Sequence, residues 1–181
     1  LAELIGTILN DGVRMPTLRI DSLHFAANTP YETRLISNPD AGKRVMPIEV
    51  ARAMREALSQ VVDAGTAKRV SGSFITPDGK PLAMGGKTGT GDNRIEAIGS
   101  GGRILSSKSI NRTATFVFFI GDTHFGTMTA FVPGRTAEAF KFTSALPVQV
   151  LKGMAPLLTP YLQPGSQTQC HPPEVTRLSS S

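Results

Sequence analysis

Apolar residues recur at helical spacing in two stretches of the chain. In residues 1–9 the leucines and isoleucines fall on one face, and Asn10-Asp11-Gly12 supplies a C-terminal stop. A second stripe begins near Pro47, which suits a first helical position, and it ends at Gly65. Its apolar positions are Ile48, Ala51, Met54, Leu58, Val61 and Val62. Both stripes predict amphipathic helices whose apolar faces belong to a core.

Three further stretches have the residue pattern of β-strands. Residues 82–90 predict a short strand that the polar run Gly91-Asp92-Asn93 breaks. Residues 113–120 are β-branched and aromatic almost throughout, which is typical of a strand buried on both faces. A hairpin turn at 121–124 then predicts an antiparallel return over 125–132.

The remaining segments predict connections and closing helices. Residues 91–111 are rich in Gly, Ser and Asn, and we expect a long mobile loop there. Two helical pieces are predicted around 136–145 and 148–158, with Pro147 at the first turn of the second. Residues 160–181 are dominated by Pro, Ser, Gln and Thr and predict a disordered tail. The sequence thus predicts one domain unit, residues 1–159, followed by that tail.

Charge and composition exclude several classes of function. The net charge of +5 comes from scattered basic residues, which indicates a solvated surface and no nucleic-acid partner. Cys170 is a single cysteine and the three histidines are widely spaced, so no metal or cofactor is predicted. The chain has no bilayer-length apolar run, and its start lacks both Met and the basic region of a signal peptide. We therefore expect a fragment of a longer chain.

The candidate chemistry lies in the predicted strand at Gly85-Gly86-Lys87-Thr88-Gly89-Thr90. Side chains alternate along a strand, so Thr88 and Thr90 present two hydroxyls on one side. Glycines beside Lys87 allow another backbone to approach closely. Two hydroxyls, one ammonium and a strand edge predict a binding site for a peptide-like ligand that carries a carboxylate.

Two other interpretations of these six residues compete with that one. A Gly-Lys-Thr triplet also ends the phosphate-binding loop, but the glycine that this loop requires five positions earlier is Pro81 here. The residues after Thr88 are also a poor start for the helix that such a loop feeds. An ordinary Gly-rich edge strand with a solvated lysine remains the simpler alternative, because short motifs match by chance.

Further segments add a resemblance to a known family. Lys87–Thr90 resembles the Lys-Thr-Gly box of penicillin-binding transpeptidases and serine β-lactamases. Val61–Ala67 resembles the Val-Val-x-x-Gly-Thr-Ala segment that precedes this box in peptidoglycan transpeptidases. Leu1–Leu4 with Asn10–Val13, and Ala145–Val148, are similar to segments at the corresponding places. Four segments in the right order resemble most closely the bifunctional glycosyltransferase–transpeptidase type of penicillin-binding protein.

The resemblance implies a fold and a role for each matching residue. The implied fold is α/β, an antiparallel sheet flanked by helices, represented by its last three strands and closing helices. Lys87 would place positive charge near the substrate carboxylate, and Thr88 and Thr90 would donate hydroxyls to it. Gly89 belongs to the same substrate-binding stretch, and the Thr90 backbone N–H would be half of an oxyanion hole. Residues 125–132 would pair with a strand outside this chain, leaving an exposed edge here.

The implied reaction is serine acyl transfer, but the chain departs from the family pattern. No Ser-x-x-Lys occurs, and Ser109-Ile110-Asn111 follows the Lys-Thr-Gly box although the family's Ser-x-Asn precedes it. Residues 112–116 stand where the family has a tryptophan-containing strand. The expected activity is that of a fragment of a peptidoglycan D,D-transpeptidase, inactive alone.

The expected partners are peptidoglycan stem peptides and β-lactam antibiotics, in the cell envelope at the periplasmic or outer face of the cytoplasmic membrane. The Val-Val-x-x-Gly-Thr-Ala segment favours this assignment over a secreted serine β-lactamase. The resemblance also implies that any membrane anchoring comes only through a missing N-terminal part. The alternative is a non-catalytic sensor or transpeptidase-like domain that binds penicillin or peptidoglycan.

Overall fold

The computed structural model describes residues 1–17, 20, 22–24, 32–34 and 38–162. Its helices and strands are, in chain order, α1 (Ala2–Leu9), β1 (Val13–Arg14), β2 (Ser22–His24), β3 (Glu32–Arg34), β4 (Lys43–Arg44), α2 (Ile48–Asp63), β5 (Met84–Ile98), β6 (Ile104–Ile120), β7 (His124–Pro133) and α3 (Ala145–Leu158). Short 3₁₀ helices lie at Pro39–Ala41, Lys68–Val70, Arg135–Ala139 and Thr159–Leu162.

The main sheet is antiparallel and has the strand order β5-β6-β7. Lys87 is opposite Val117 in the β5–β6 pair, and Phe116 is opposite Met128 in the β6–β7 pair. β1 pairs with β4 and β2 pairs with β3 in two small ladders. Within the described residues β5 and β7 are the edges of the main sheet, so each has one side without a strand partner.

Helices cover the two faces of this sheet. On one face, α3, the last turn of α2 and the segment after α2 pack on Met84, Phe116 and Ile120. The buried residues that these helices and this segment contribute are Val62, Ala67, Val70, Phe74, Val148, Leu151 and Ala155. On the other face, Ile5 and Ile8 of α1 pack with Val117 and Phe119, and Leu58 of α2 packs against the same group. The architecture is thus α/β with an antiparallel sheet between helices, as the sequence predicts.

The predicted helices are present with shifted ends. α2 begins at Ile48, so Pro47 is the residue before its first turn and not the first helical residue. Pro147 lies in the first turn of α3, as predicted, because that helix begins at Ala145. The prediction of a helix over 136–145 is wrong: residues 135–139 form a 3₁₀ helix and 140–143 are extended or irregular.

The largest difference from the sequence prediction is in residues 91–111. Gly91-Asp92-Asn93 does not break the strand, because β5 continues to Ile98 and pairs with a β6 that begins at Ile104. The prediction of a loop is therefore wrong, because this stretch is a paired ribbon with two register irregularities. The mobility of the stretch stays a prediction. Gly101 and Gly102 have positive φ angles of 82° and 77° at its tip, which suits glycine.

We divide this hairpin into two halves. The inner half is Met84–Gly91 paired with Thr113–Ile120, and the outer half is Asp92–Ile98 paired with Ile104–Arg112. In the inner half Phe116, Phe119 and Ile120 are buried, as predicted for a strand enclosed by helices. In the outer half the large apolar residues are exposed; they are Ile95, Ile98, Ile104, Leu105 and Ile110.

The hairpin turn after β6 agrees with the prediction. β6 ends at Ile120, Gly121 has a positive φ of 62°, and β7 begins at His124. Of the tail predicted from residue 160, residues 160–162 continue the 3₁₀ helix that begins at Thr159. Residues 163–181 lie outside the described residues.

Candidate functional site

Lys87, Thr88, Gly89 and Thr90 lie on β5, at an edge of the main sheet and in the inner half of the hairpin. Their side chains alternate, so Thr88 and Thr90 share the face that α3 covers, as the sequence predicts. Lys87 and Gly89 share the opposite face. The side chains predicted to bind a carboxylate therefore surround the strand edge and do not all lie on one side of it.

Lys87 is exposed, and its ammonium group turns back onto its own strand. Its Nζ donates a hydrogen bond to the Thr88 carbonyl oxygen at 2.6 Å. A lysine ammonium has three N–H donors, so two remain for other acceptors. The contact holds the positive charge close to the Lys-Thr-Gly backbone.

Thr88 is enclosed, with only 7% of its surface exposed. Its Oγ1 lies 2.6 Å from the Oγ1 of Thr66, in the Gly-Thr-Ala segment after α2. Each hydroxyl has one proton, and one of the two protons is used in this mutual bond. The pair keeps one proton to donate elsewhere.

Thr90 is exposed and is bound from the other side. Its Oγ1 accepts a hydrogen bond of 2.8 Å from the backbone N–H of Ser144, the residue before α3. Because the hydroxyl oxygen is the acceptor here, its own proton stays free to donate. Thr90 is thus prepared as a donor at the surface.

The glycines around Lys87 have different structural roles. A Cβ at Gly86 would lie 2.2 Å from the Val117 carbonyl oxygen, and one at Gly85 would lie 2.9 Å from the Leu58 backbone carbon. These two positions bring β5 close to its neighbours, as predicted. Gly89 has no such atom within 4 Å, so it is the open position of the stretch and the place where a ligand backbone has room.

A contact that the sequence interpretation missed holds the end of the site. The Arg112 guanidinium bonds both carboxylate oxygens of Asp92 at 3.2 and 3.3 Å, and its Nε donates to the Phe142 carbonyl oxygen at 2.8 Å. It also lies over the Phe142 ring, 5.5 Å from the centroid. Arg112 therefore links β5, β6 and the segment that leads to Ser144. The sequence signal for this contact is one acidic and one basic residue, and it can be recognised only when the strand register places Asp92 opposite Arg112.

The cavities of the described residues lie elsewhere. One of about 930 Å³ lies beside α1 and includes Phe125, and one of about 270 Å³ includes His124 and Thr159. Neither includes Lys87 or Thr90. The candidate site is an open strand edge in the part of the chain that the structure describes.

His124 and Ser109 do not join this site. His124 is at the start of β7, and its Nδ1 lies 3.0 Å from the Thr123 hydroxyl. Ser109 is opposite Arg94, eight residues along β6 from the partner of Lys87, or roughly 27 Å. Its hydroxyl donates to the Asn111 carbonyl oxygen. This separation agrees with the interpretation that Ser109-Ile110-Asn111 is a chance match.

Among the described residues, no group of three or more His, Cys, Asp or Glu side chains could hold a metal ion. Within the same ranges, none of the helices has the length and apolar character needed to span a membrane.

Several solved structures have a similar fold. A peptidoglycan synthetase from Bifidobacterium adolescentis matches with a TM-score of 0.52 and 20% identity, over 90% of this chain and 27% of that chain. Penicillin binding protein 3 from Mycobacterium tuberculosis matches with a TM-score of 0.50 and 20% identity, over 90% of this chain and 35% of that one. The complex of that protein with ampicillin matches with a TM-score of 0.51 and 20% identity, over 94% of this chain and 36% of that one. The chain thus spans about a third of these structures, which support the fold.

The sequence itself matches one family. No curated protein matches the chain in sequence. A family model described as the penicillin binding protein transpeptidase domain matches residues 1–102, a range that includes α1, α2, the Gly-Thr-Ala segment and the Lys-Thr-Gly strand. This match covers more than half of the 181 residues. The chain belongs to the penicillin-binding protein transpeptidase family.

Proposed function

We propose that residues 1–159 are the C-terminal part of a peptidoglycan D,D-transpeptidase domain that cross-links stem peptides by serine acyl transfer and binds β-lactams. One observation carries the proposal. Lys87 and Thr90 are exposed on an edge strand, with an open position at Gly89 between them. Family membership supports the reaction class, and the edge geometry supports a peptide-like ligand.

Each residue has a distinct part in this proposal. Lys87 supplies the positive charge that attracts the ligand carboxylate, and Thr90 donates its free hydroxyl proton to that group. Thr88 contributes through its hydroxyl pair with Thr66. The Thr90 backbone N–H is half of an oxyanion hole, which stabilises the negative charge of a tetrahedral intermediate.

The nucleophile in this proposal lies outside the 181 residues. The chain contains no serine three residues before a lysine, which the family's acylation step uses. The serine and its general base would come from the rest of the complete protein, which acts on the cell wall outside the cytoplasm. The 181-residue chain by itself forms no acyl-enzyme.

The test is acylation by a fluorescent penicillin in the complete gene product, measured as a second-order rate constant. Lys87→Ala removes the charge near the carboxylate, and loss of one such electrostatic contact lowers the rate by about 10²- to 10³-fold. Lys87→Arg restores the rate only in part, because a planar guanidinium cannot occupy the place of a compact ammonium. Lys108→Ala is the matched control: it removes an exposed lysine from the outer half of the hairpin and leaves the rate unchanged.

Several results would overturn the proposal. A wild-type rate for Lys87→Ala with an unchanged melting temperature would remove Lys87 from the site, and unfolding of that variant would make the lysine structural. A denaturation-resistant label on the isolated 181-residue chain would show a nucleophile within it. Acylation of the complete protein without cross-linking of stem peptides would favour the non-catalytic sensor.

A further inference from the structure

The Gly-Thr-Ala segment after α2 is built around the side chain of Thr66. α2 ends at Asp63, and the Ala67 N–H returns to the Val61 carbonyl oxygen at 3.0 Å. A Cβ at Gly65 would lie 2.9 Å from the Val61 backbone, so this tight return needs glycine. Ala67 is fully buried in the core that α3 covers. Fixed on both sides, Thr66 has little freedom to move away from Thr88.

The contact between Thr66 and Thr88 has a consequence for ligand binding. At 2.6 Å the two Oγ1 atoms form a short hydrogen bond, with Thr66 exposed and Thr88 enclosed. If Thr66 donates to Thr88, the Thr88 proton becomes available to an acceptor. This is the state of Thr90, whose oxygen accepts from the Ser144 N–H. An anionic acceptor would select the same state in both threonines, because a carboxylate only accepts hydrogen bonds.

We propose that Thr66 is a positioning residue of this site: it donates to Thr88, and the two hydroxyls act as one hydrogen-bond donor for the ligand carboxylate. The inference rests on the proposed function and adds a residue to it. It explains why a threonine, and not only a helix end, lies between Gly65 and Ala67. A valine there would keep the shape and lose the donor.

The experiment compares two ligands in the complete gene product. A penicillin and its methyl ester differ in the carboxylate, so the ratio of their acylation rate constants measures carboxylate recognition separately from chemistry. Thr66→Val lowers this ratio on the order of 10-fold, as expected when a hydrogen bond to a charged group is lost. Thr66→Ser keeps the hydroxyl and restores most of the ratio.

Two further variants make the test specific. If the pair acts as one donor, Thr66→Val combined with Thr88→Val lowers the ratio no more than Thr88→Val alone. Thr159→Val is the matched control. It removes a hydroxyl that donates to the Ala155 carbonyl oxygen at 2.7 Å, at the far end of α3 and roughly 20 Å from Ser144. It leaves the ratio unchanged.

The possible outcomes separate this inference from the proposed function. A wild-type ratio in Thr66→Val overturns the inference and leaves the proposed function intact. So does additive loss in the double variant, or an equal loss in Thr159→Val. Absence of acylation by both ligands in the wild-type protein overturns the proposed function, and the role of Thr66 with it.

Discussion

The two halves of the β5–β6 hairpin are made of the same strands but are stabilised differently. In the inner half, Phe116 and Phe119 are enclosed by helices on opposite faces of the sheet. In the outer half, the apolar side chains of Ile95 and Ile98 are 62% and 65% exposed, and the strands are held mainly by pairing with each other. The comparison teaches that strand length in this protein follows pairing, whereas burial by helices is confined to the inner half of the strands.

The candidate site lies in the inner half of the hairpin, which the helices cover. Lys87 and Thr90 are in the inner half, and Asp92 with Arg112 marks the border to the outer half. A binding site on a packed element keeps its geometry better than one on a loop. The contact between Asp92 and Arg112 therefore lies between the half of the hairpin that carries the candidate site and the half that does not.

The strongest way to break the comparison is a methyl group in the inner half. Gly86→Ala would place a Cβ 2.2 Å from the Val117 carbonyl oxygen, an atom of the paired strand that cannot move aside easily. We expect a loss of about 3 kcal/mol, the upper end of the usual cost of overpacking, in the free energy of unfolding measured by urea denaturation. In contrast, Gly91→Ala lies at the last residue of the inner half, beside the border, and meets no atom within 4 Å, so its free energy of unfolding stays within about 0.5 kcal/mol of the wild type. Equal effects at both glycines would contradict the difference in packing.

The border contact gives an intermediate effect. Arg112→Met leaves the Asp92 carboxylate, which is 19% exposed, with Arg94 at 3.8 Å as its remaining basic partner among the described residues. Loss of hydrogen bonds to a charged group predicts destabilisation of about 1.5–3 kcal/mol. Hydrogen exchange should be faster for the outer-half amides and near Ser144, with smaller changes at Phe116. Arg94→Met is the control and stays within about 0.5 kcal/mol; uniform exchange changes in Arg112→Met would show that the border does not separate the halves.

The smallest effect tests an exposed ion pair outside the sheet. The hydrogen bond from Arg52 lowers the pKa of Asp11 below its ordinary value. A lowered pKa in the folded state adds stability above the unfolded value of 3.8, and this stability is lost as the pH falls through the folded pKa. Because the pair is exposed, we expect Asp11→Asn to change the pH dependence of stability only slightly, and only in acid. A large loss of stability in Asp11→Asn at neutral pH would contradict the weak contribution expected of an exposed pair.

The sequence patterns predicted the elements that bury apolar side chains in the core. The apolar stripes of α1 and α2 have a helical period that indicates which face is buried. The β-branched and aromatic run of the inner β6 is typical of a strand buried on both faces. The Lys87–Thr90 strand was recognised for the same reason, with the addition of its motif. Thr88 and Thr90 share a face as predicted.

The elements that the sequence analysis missed depend on partners far along the chain. Residues 91–111 have neither a helical nor a strand period, since little of the outer half is buried, and their Gly and Ser content suggested a loop. Their pairing becomes visible only when Asp92 is placed opposite Arg112. Likewise, the Thr66–Thr88 bond joins two segments that no local pattern relates. Such contacts depend on tertiary geometry, to which single-sequence patterns are insensitive.

The strand order β5-β6-β7 has a consequence for the folding reaction. Each strand pairs with its neighbour in the chain, so the sheet can form through the closure of short loops, which is fast. α1 is different: it packs on Phe125 and on the inner half of β6, across most of the described chain. Closing that long loop has a larger entropic cost. We therefore expect α1 to dock after the sheet has formed and to detach first when the protein unfolds.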